Sequence, residues 1–117
     1  MSRFFIVTIE IAYYPCYHIL MIESFKEAGT QDIFNGENSK EARKMCPNSL
    51  WKIAARKLDQ LDSVVALSEL RIPPGNQLEV LSGNRNGQYS IRINDHYRIC
   101  FFWTDKGPSQ VEIVDYH

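Results

Sequence analysis

The chain ends on Asp115, Tyr116 and His117, an acid, a phenol and an imidazole in consecutive positions, and two arginines, Arg92 and Arg98, stand in the strand-like stretches before them. An imidazole titrates near neutral pH, and a carboxylate accepts a proton or orients that imidazole. A guanidinium keeps its charge at any working pH and grips a phosphate bidentately. Those are the parts of a metal-independent ribonuclease, in which the RNA's own 2'-hydroxyl is the nucleophile and arginine stabilises a phosphorane-like charge. No cofactor and no metal are expected. The same residue types also suit a solvated chain end, so residue types alone leave both readings open.

The elements that must position these groups can be read from alternation. Tyr89, Ile91 and Ile93 alternate with Ser90, Arg92 and Asn94, and Tyr97, Ile99, Phe101 and Trp103 alternate with Arg98, Cys100 and Phe102. A three-residue loop, Asn94 to His96, pairs Ile93 with Tyr97 and Ile91 with Ile99, which keeps the apolar sets on one face. The same register sets Arg92 opposite Arg98. Like charges directly opposite on a sheet cost up to about 1 kcal/mol, so an anion is expected beside them. A neighbouring carboxylate, Asp115 or Glu79, is one candidate and a phosphate is the other. The last strand alternates Val111, Ile113, Asp115 and His117 against Glu112, Val114 and Tyr116. Asp115 and His117 are therefore expected to share a face with Arg92 and Arg98, with Tyr116 on the other.

The second half of the chain reads as short strands joined by tight loops: "QLEVLS", the glycine-flanked "GNRNG", "QYSIRIN", "YRICFFW", the turn "TDKGPS" and "QVEIVDY". "IPPGN" forbids helix and marks the crossing into this half. Before it, Leu50, Ala54, Leu58, Leu61 and Val65 form one apolar stripe of a helix over 48–65, capped by Asn48 or Ser49, with Trp51 bordering the core. The polar segment 26–45, with breaks at Gly29 and Gly36, predicts one or two short helices. The fold class is α+β: an antiparallel sheet of about four strands plus an N-terminal strand, "MIESF", packed against two or three helices.

At 117 residues the chain fits one domain, and its 44% apolar and 23% charged residues are those of an ordinary globular protein. The first stretch, "FFIVTIEIAYY", fails as a signal peptide because Glu10 interrupts it, and it is too short and polar to span a bilayer. We read 1–20 as an extension and 21–117 as the functional domain. Cys16 and His18 are read as incidental side chains rather than metal ligands, and three cysteines without close pairs fit a reducing cytoplasm better than a disulfide framework. A net charge of −1 does not attract nucleic acid by overall field, but residues 40–57 hold six cations, Lys40, Arg43, Lys44, Lys52, Arg56 and Lys57, against Glu41 alone. This stripe is either a solvated helix face or a polyanion contact, and Lys52, Arg56, Lys57, Arg85 and Arg92 are the candidate RNA-binding residues.

"RIPPGN", "LSGNRNGQYSIRIND", "YRICFFW" and the terminal "VEIVDYH", together with "SLWKIAARKLDQLD" in the helix, resemble the HigB toxins of the RelE superfamily, in the subgroup labelled plasmid maintenance killer protein. The resemblance covers about 21–117. It implies a toxin of a type II toxin-antitoxin pair: a ribosome-dependent mRNA endonuclease that cleaves in the ribosomal A site, in contact with ribosomal RNA, and is neutralised by a helix-turn-helix antitoxin of the HigA kind. It also implies catalytic roles for Asp115, Tyr116 and His117 and for Arg98. Where some HigB toxins carry a histidine before the glycine-flanked loop, this chain has Glu79. A glutamate replaces histidine as a base but not as a cation.

Overall fold

In a computed structural model the described residues are 19–116; Cys16, His18 and His117 lie outside them. Three helices, α1 (Ala28–Phe34), α2 (Lys40–Met45) and α3 (Trp51–Leu61), precede four strands, β1 (Glu79–Val80), β2 (Gln88–Arg92), β3 (Tyr97–Thr104) and β4 (Gly107–Asp115). The strands form one antiparallel sheet in the order β1-β2-β3-β4. The core lies between the helices and one sheet face: Ala54, Leu58 and Leu61 of α3 meet Ile91, Ile99, Phe101, Val111 and Ile113 of the sheet. The α+β expectation holds.

Between α1 and α2, Gly29 is not the expected break. It sits inside α1, where a Cβ would fall 2.4 Å from the Glu41 carbonyl oxygen of α2, so the missing side chain lets the two helices touch. Ser39 caps α2, accepting from the Ala42 N–H at 2.9 Å and donating to Asp32 at 2.6 Å. Thr30 ties α1 to the sheet by accepting from the Ile113 N–H at 3.2 Å.

The long helix is shorter than its stripe predicts. Pro47 starts a 3-10 turn, Asn48–Leu50, that leads into α3 without a side-chain cap from Asn48 or Ser49. The helix stops at Leu61, and Asp62 accepts the Ile22 N–H at 2.8 Å. The phase of the stripe is lost there. Val64 enters the core and bridges Leu20, while Val65 is exposed.

The expected N-terminal strand is present as an extended segment bonded beside β4. Glu23 N–H donates to Pro108, Lys26 N–H to Val111, and the Val111 N–H returns a bond to Ser24. Pro108 has no N–H to give, and the segment meets β4 in an isolated bridge between Phe25 and Val111 rather than a ladder. The turn before β4 is tighter than "TDKGPS" suggests. Thr104 pairs with Gly107, whose φ of +125° only glycine tolerates, so Pro108 and Ser109 belong to the strand.

Candidate active site on the open sheet face

The hairpin has the predicted register: Ile91 faces Ile99, Arg92 faces Arg98, and the loop spans Asn94 to His96. Asn94 closes that loop by accepting the His96 and Tyr97 N–H groups at 2.9 Å each. Odd-numbered residues of β2 and β3 enter the core, and Ser90, Arg92, Arg98 and Cys100 project to the face without helices. Arg98 is only 8% exposed there. Its Nε donates to Ser90 Oγ at 2.7 Å, Nη2 donates to the Gln77 carbonyl, and Glu79 Oε1 stands 3.7 Å away. Glu79 is thus the carboxylate beside Arg98, and Arg92 pairs with Asp95 at the hairpin loop instead. The two guanidinium groups are held apart by separate partners.

The expected face for the terminal residues is reversed. Near the turn, Thr104 pairs with Gly107 and Phe102 with Ser109, but beyond an irregularity the partners are Cys100 with Glu112, Arg98 with Val114 and Tyr97 with Asp115. One extra residue has entered β4. Gln110 lies within this bulge with a φ of +51°, a left-handed conformation that lets the strand gain a residue. With the unshifted register, Ile113 and Asp115 would share the face of Arg98. The bulge instead sends Val111 and Ile113 into the core and puts Glu112, Val114 and Tyr116 on the open face.

Asp115 therefore stands on the other side of the sheet. It lines a cavity of about 340 Å³ with Pro47, Ser49, Leu50, Asn94, His96 and Tyr97. Tyr116 takes the position that the sequence reading assigned to Asp115: its hydroxyl lies 3.9 Å from Cys100 Sγ, and its N–H donates to the His96 carbonyl. Burial raises the Tyr116 pKa, with the Arg85 and Arg98 charges opposing. At neutral pH the phenol keeps its proton.

Two open-face residues were absent from the sequence expectations. Glu112 is buried and accepts from Arg85 Nη1 at 2.9 Å and Lys26 Nζ at 3.5 Å. Arg85, predicted to meet RNA, is thereby drawn over the sheet from the Gly83–Arg85 turn, and its Nη1 also reaches Gln88 at 3.2 Å. Cys100 is fully buried beneath them. Burial raises its pKa, opposed by the Tyr116 hydrogen bond and by Arg85. The alternation placed Glu112 opposite in phase to Val111 and Ile113, which was the available signal; the partner was not readable. Lys52, Arg56 and Lys57 lie on α3 and are not brought to this face. Among the described residues, no His, Cys, Asp and Glu group is arranged to hold a metal.

Comparison with known proteins identifies a family, through a family model and one relative. Residues 23–117 match the model described as the RelE-like toxin of type II toxin-antitoxin system HigB. The chain belongs to the HigB-like toxin family. A relative, toxin HigB-1 of Vibrio cholerae serotype O1, is 42% identical over 85 residues, 73% of this chain and 86% of that protein. An uncharacterized protein of Haemophilus influenzae is 44% identical over 55 residues, 47% of this chain and 54% of its own length. The solved YoeB-YefM complex from Staphylococcus aureus aligns with 86% of this HigB-like toxin and 99% of the solved chain, at 22% identity and a TM-score of 0.49.

Proposed function

We propose that this HigB-like toxin is a metal-independent endoribonuclease that cuts mRNA on the ribosome, in the A site, and so arrests translation. The observation that carries the reading is the open sheet face, where Arg98 and Arg85 converge with Glu79, Glu112 and the protonated phenol of Tyr116. In the proposed reaction the 2'-hydroxyl oxygen attacks the adjacent phosphorus while a base takes its proton. The bond to the 5' oxygen breaks, and an acid returns a proton to that oxygen. The products are a 2',3'-cyclic phosphate and a 5'-hydroxyl end.

Glu79, half exposed beside Arg98, is a carboxylate able to take the first proton. Tyr116 is a donor for the second, and His117 remains the candidate imidazole for either transfer. Arg98 and Arg85 supply positive charge where the phosphorane develops. Asp115 contributes in this reading from the far side of the strand end rather than beside Arg98. The proposed partners are mRNA, ribosomal RNA and a HigA-type helix-turn-helix antitoxin, and the proposed compartment is the cytoplasm, where translating ribosomes are.

The test is to induce the chain and map mRNA 5' ends on ribosomes, with Arg98→Ala beside it. We expect new ends within translated frames that vanish in the variant; unchanged growth and intact mRNA would sink the reading. A non-catalytic binding module is the second reading, favoured by the burial of Arg98 and its bonds to Ser90 and Gln77. His117→Ala separates the two. A catalytic residue loses cleavage and keeps ribosome binding, whereas a binding module has no cleavage to lose.

A further inference from the structure

A second group of cations lies away from the open face. Arg56 and Lys57 of α3 line a cleft of about 330 Å³ with Gln60, Pro73 and Asn76. Its floor is built. Asn76 is fully buried, accepts from Lys57 Nζ at 2.6 Å, and donates through Nδ2 to Gln60 Oε1 at 3.0 Å and to the Leu70 carbonyl at 3.1 Å. These bonds hold the stem of Lys57 against the turn and fix where its charge sits.

The surroundings are positive. Burial lowers the Lys57 pKa first, and the charges of Arg56 and Arg92 lower it further. Among the described residues the ion pairs involve Lys26, Arg85, Arg92 and Arg98, and none involves Arg56 or Lys57. Two adjacent cations gathered at a cleft without a carboxylate favour an anion from outside.

The turn that forms the cleft also reaches the open face. Asn76 holds Lys57, and the next residue, Gln77, gives its carbonyl to Arg98. The turn Pro74–Asn76 packs against β2, the strand that carries Arg92. One short segment thus couples the two cationic places, and a chain of phosphates crossing it would meet both.

We propose that the Arg56–Lys57 cleft holds a second phosphate of the RNA strand being cut, one that flanks the reacting phosphate on the open face. The proposal rests on the ribonuclease reading. Its two cations fix the register of the strand, so that they are positioning residues rather than catalytic ones.

The experiment uses the full chain and a fluorescent 2'-O-methyl oligoribonucleotide, which keeps the phosphates and lacks the nucleophile. Arg56→Ala and the double variant with Lys57→Gln are expected to weaken binding about three- to tenfold and to reduce the salt slope of log affinity by about 0.7, the value for one lost single-strand phosphate contact. Lys106→Ala, which removes an exposed cation in the turn before β4, should leave both unchanged. Arg56 is exposed, so the single variant is expected to fold normally. Unchanged affinity and slope in Arg56→Ala and the double variant would overturn the proposal. So would weakened binding to vacant ribosomes with the oligonucleotide unaffected, which would assign the phosphate to ribosomal RNA, or weakened binding to polyglutamate alone, which would assign the cleft to an acidic peptide. Cleavage of mRNA by the unaltered chain is measured separately. Its absence would fail the ribonuclease reading, whereas cleavage with unchanged variant binding would fail the cleft alone.

Discussion

The two faces of the sheet are made by alternate residues of the same strands and differ in what holds them. On the core face Ile91, Ile99, Phe101, Val111 and Ile113 are buried against helix residues by apolar contact. On the open face Ser90, Arg98, Cys100 and Glu112 are almost as buried, yet each polar group among them is held by a named partner. Among the described residues no buried side-chain nitrogen or oxygen lacks a hydrogen bond. Apolar contact is non-directional and tolerates small displacements, whereas a bonded guanidinium has one orientation. The core face supplies stability, and the open face supplies defined positions for charge.

Substitutions on each face should separate these contributions. Phe101→Ala removes the largest fully buried side chain and should destabilise by about 3–5 kcal/mol in urea unfolding. Its effect on RNA cleavage per folded molecule should be small; a large loss of cleavage with stability intact would dissolve the division between the faces. Arg98→Ala should do the reverse. Leaving the Ser90 hydroxyl and the Gln77 carbonyl without their donor costs about 1–3 kcal/mol, while cleavage should fall by about 100-fold or more, as for loss of a charge-stabilising donor. Arg98→Lys, which keeps the charge and loses the fork, should restore little of it.

Glu112→Gln releases Arg85 and Lys26. Because Arg85 is 30% and Lys26 52% exposed, the loss should be about 1–2 kcal/mol, below that for a fully buried pair. Cleavage should drop with it if Arg85 must be held over the sheet, and kinetics on the purified variant would show that. Gln110→Gly should be neutral to stabilising, by up to about 1 kcal/mol, because glycine accepts the left-handed backbone of the bulge. A destabilisation instead would mean that the Gln110 side chain, and not the bulge, matters there.

The smallest effect contrasts one cysteine from each side. Burial pushes the Cys46 thiol from 9.0 up to about 11 with nothing opposing it, whereas at Cys100 burial is opposed by Tyr116, Arg85 and Arg98. Above about pH 9 the unfolded thiol ionises while folded Cys46 holds its proton, so the unfolded state binds fewer protons and stability falls until about pH 11. Cys46→Ala should flatten that slope in unfolding measurements made across the range.

The strands, the Asn94 to His96 loop and the opposition of Arg92 to Arg98 were legible because hairpin pairing is local and a two-residue loop would have mixed the faces. The assignment of Glu79 as a carboxylate beside Arg98 was also among the alternatives read. Neighbouring strands constrain each other through a short loop. The helix ends were less legible, since the stripe continued to Val65 while Asp62, Ile22 and Val64 ended the helix through contacts from distant segments.

By itself the sequence determined the alternation of each strand, and with it that Asp115 travels with Val111 and Ile113 while Tyr116 travels with Glu112. Only the tertiary structure decided which of these sets faces Arg98. The physical reason is that side chains alternate with a period of two, so one inserted residue at Gln110 reverses the facing of everything after it in β4 relative to β3. The bulge shows in the chain only as a glutamine, and its effect appears where the two strands meet.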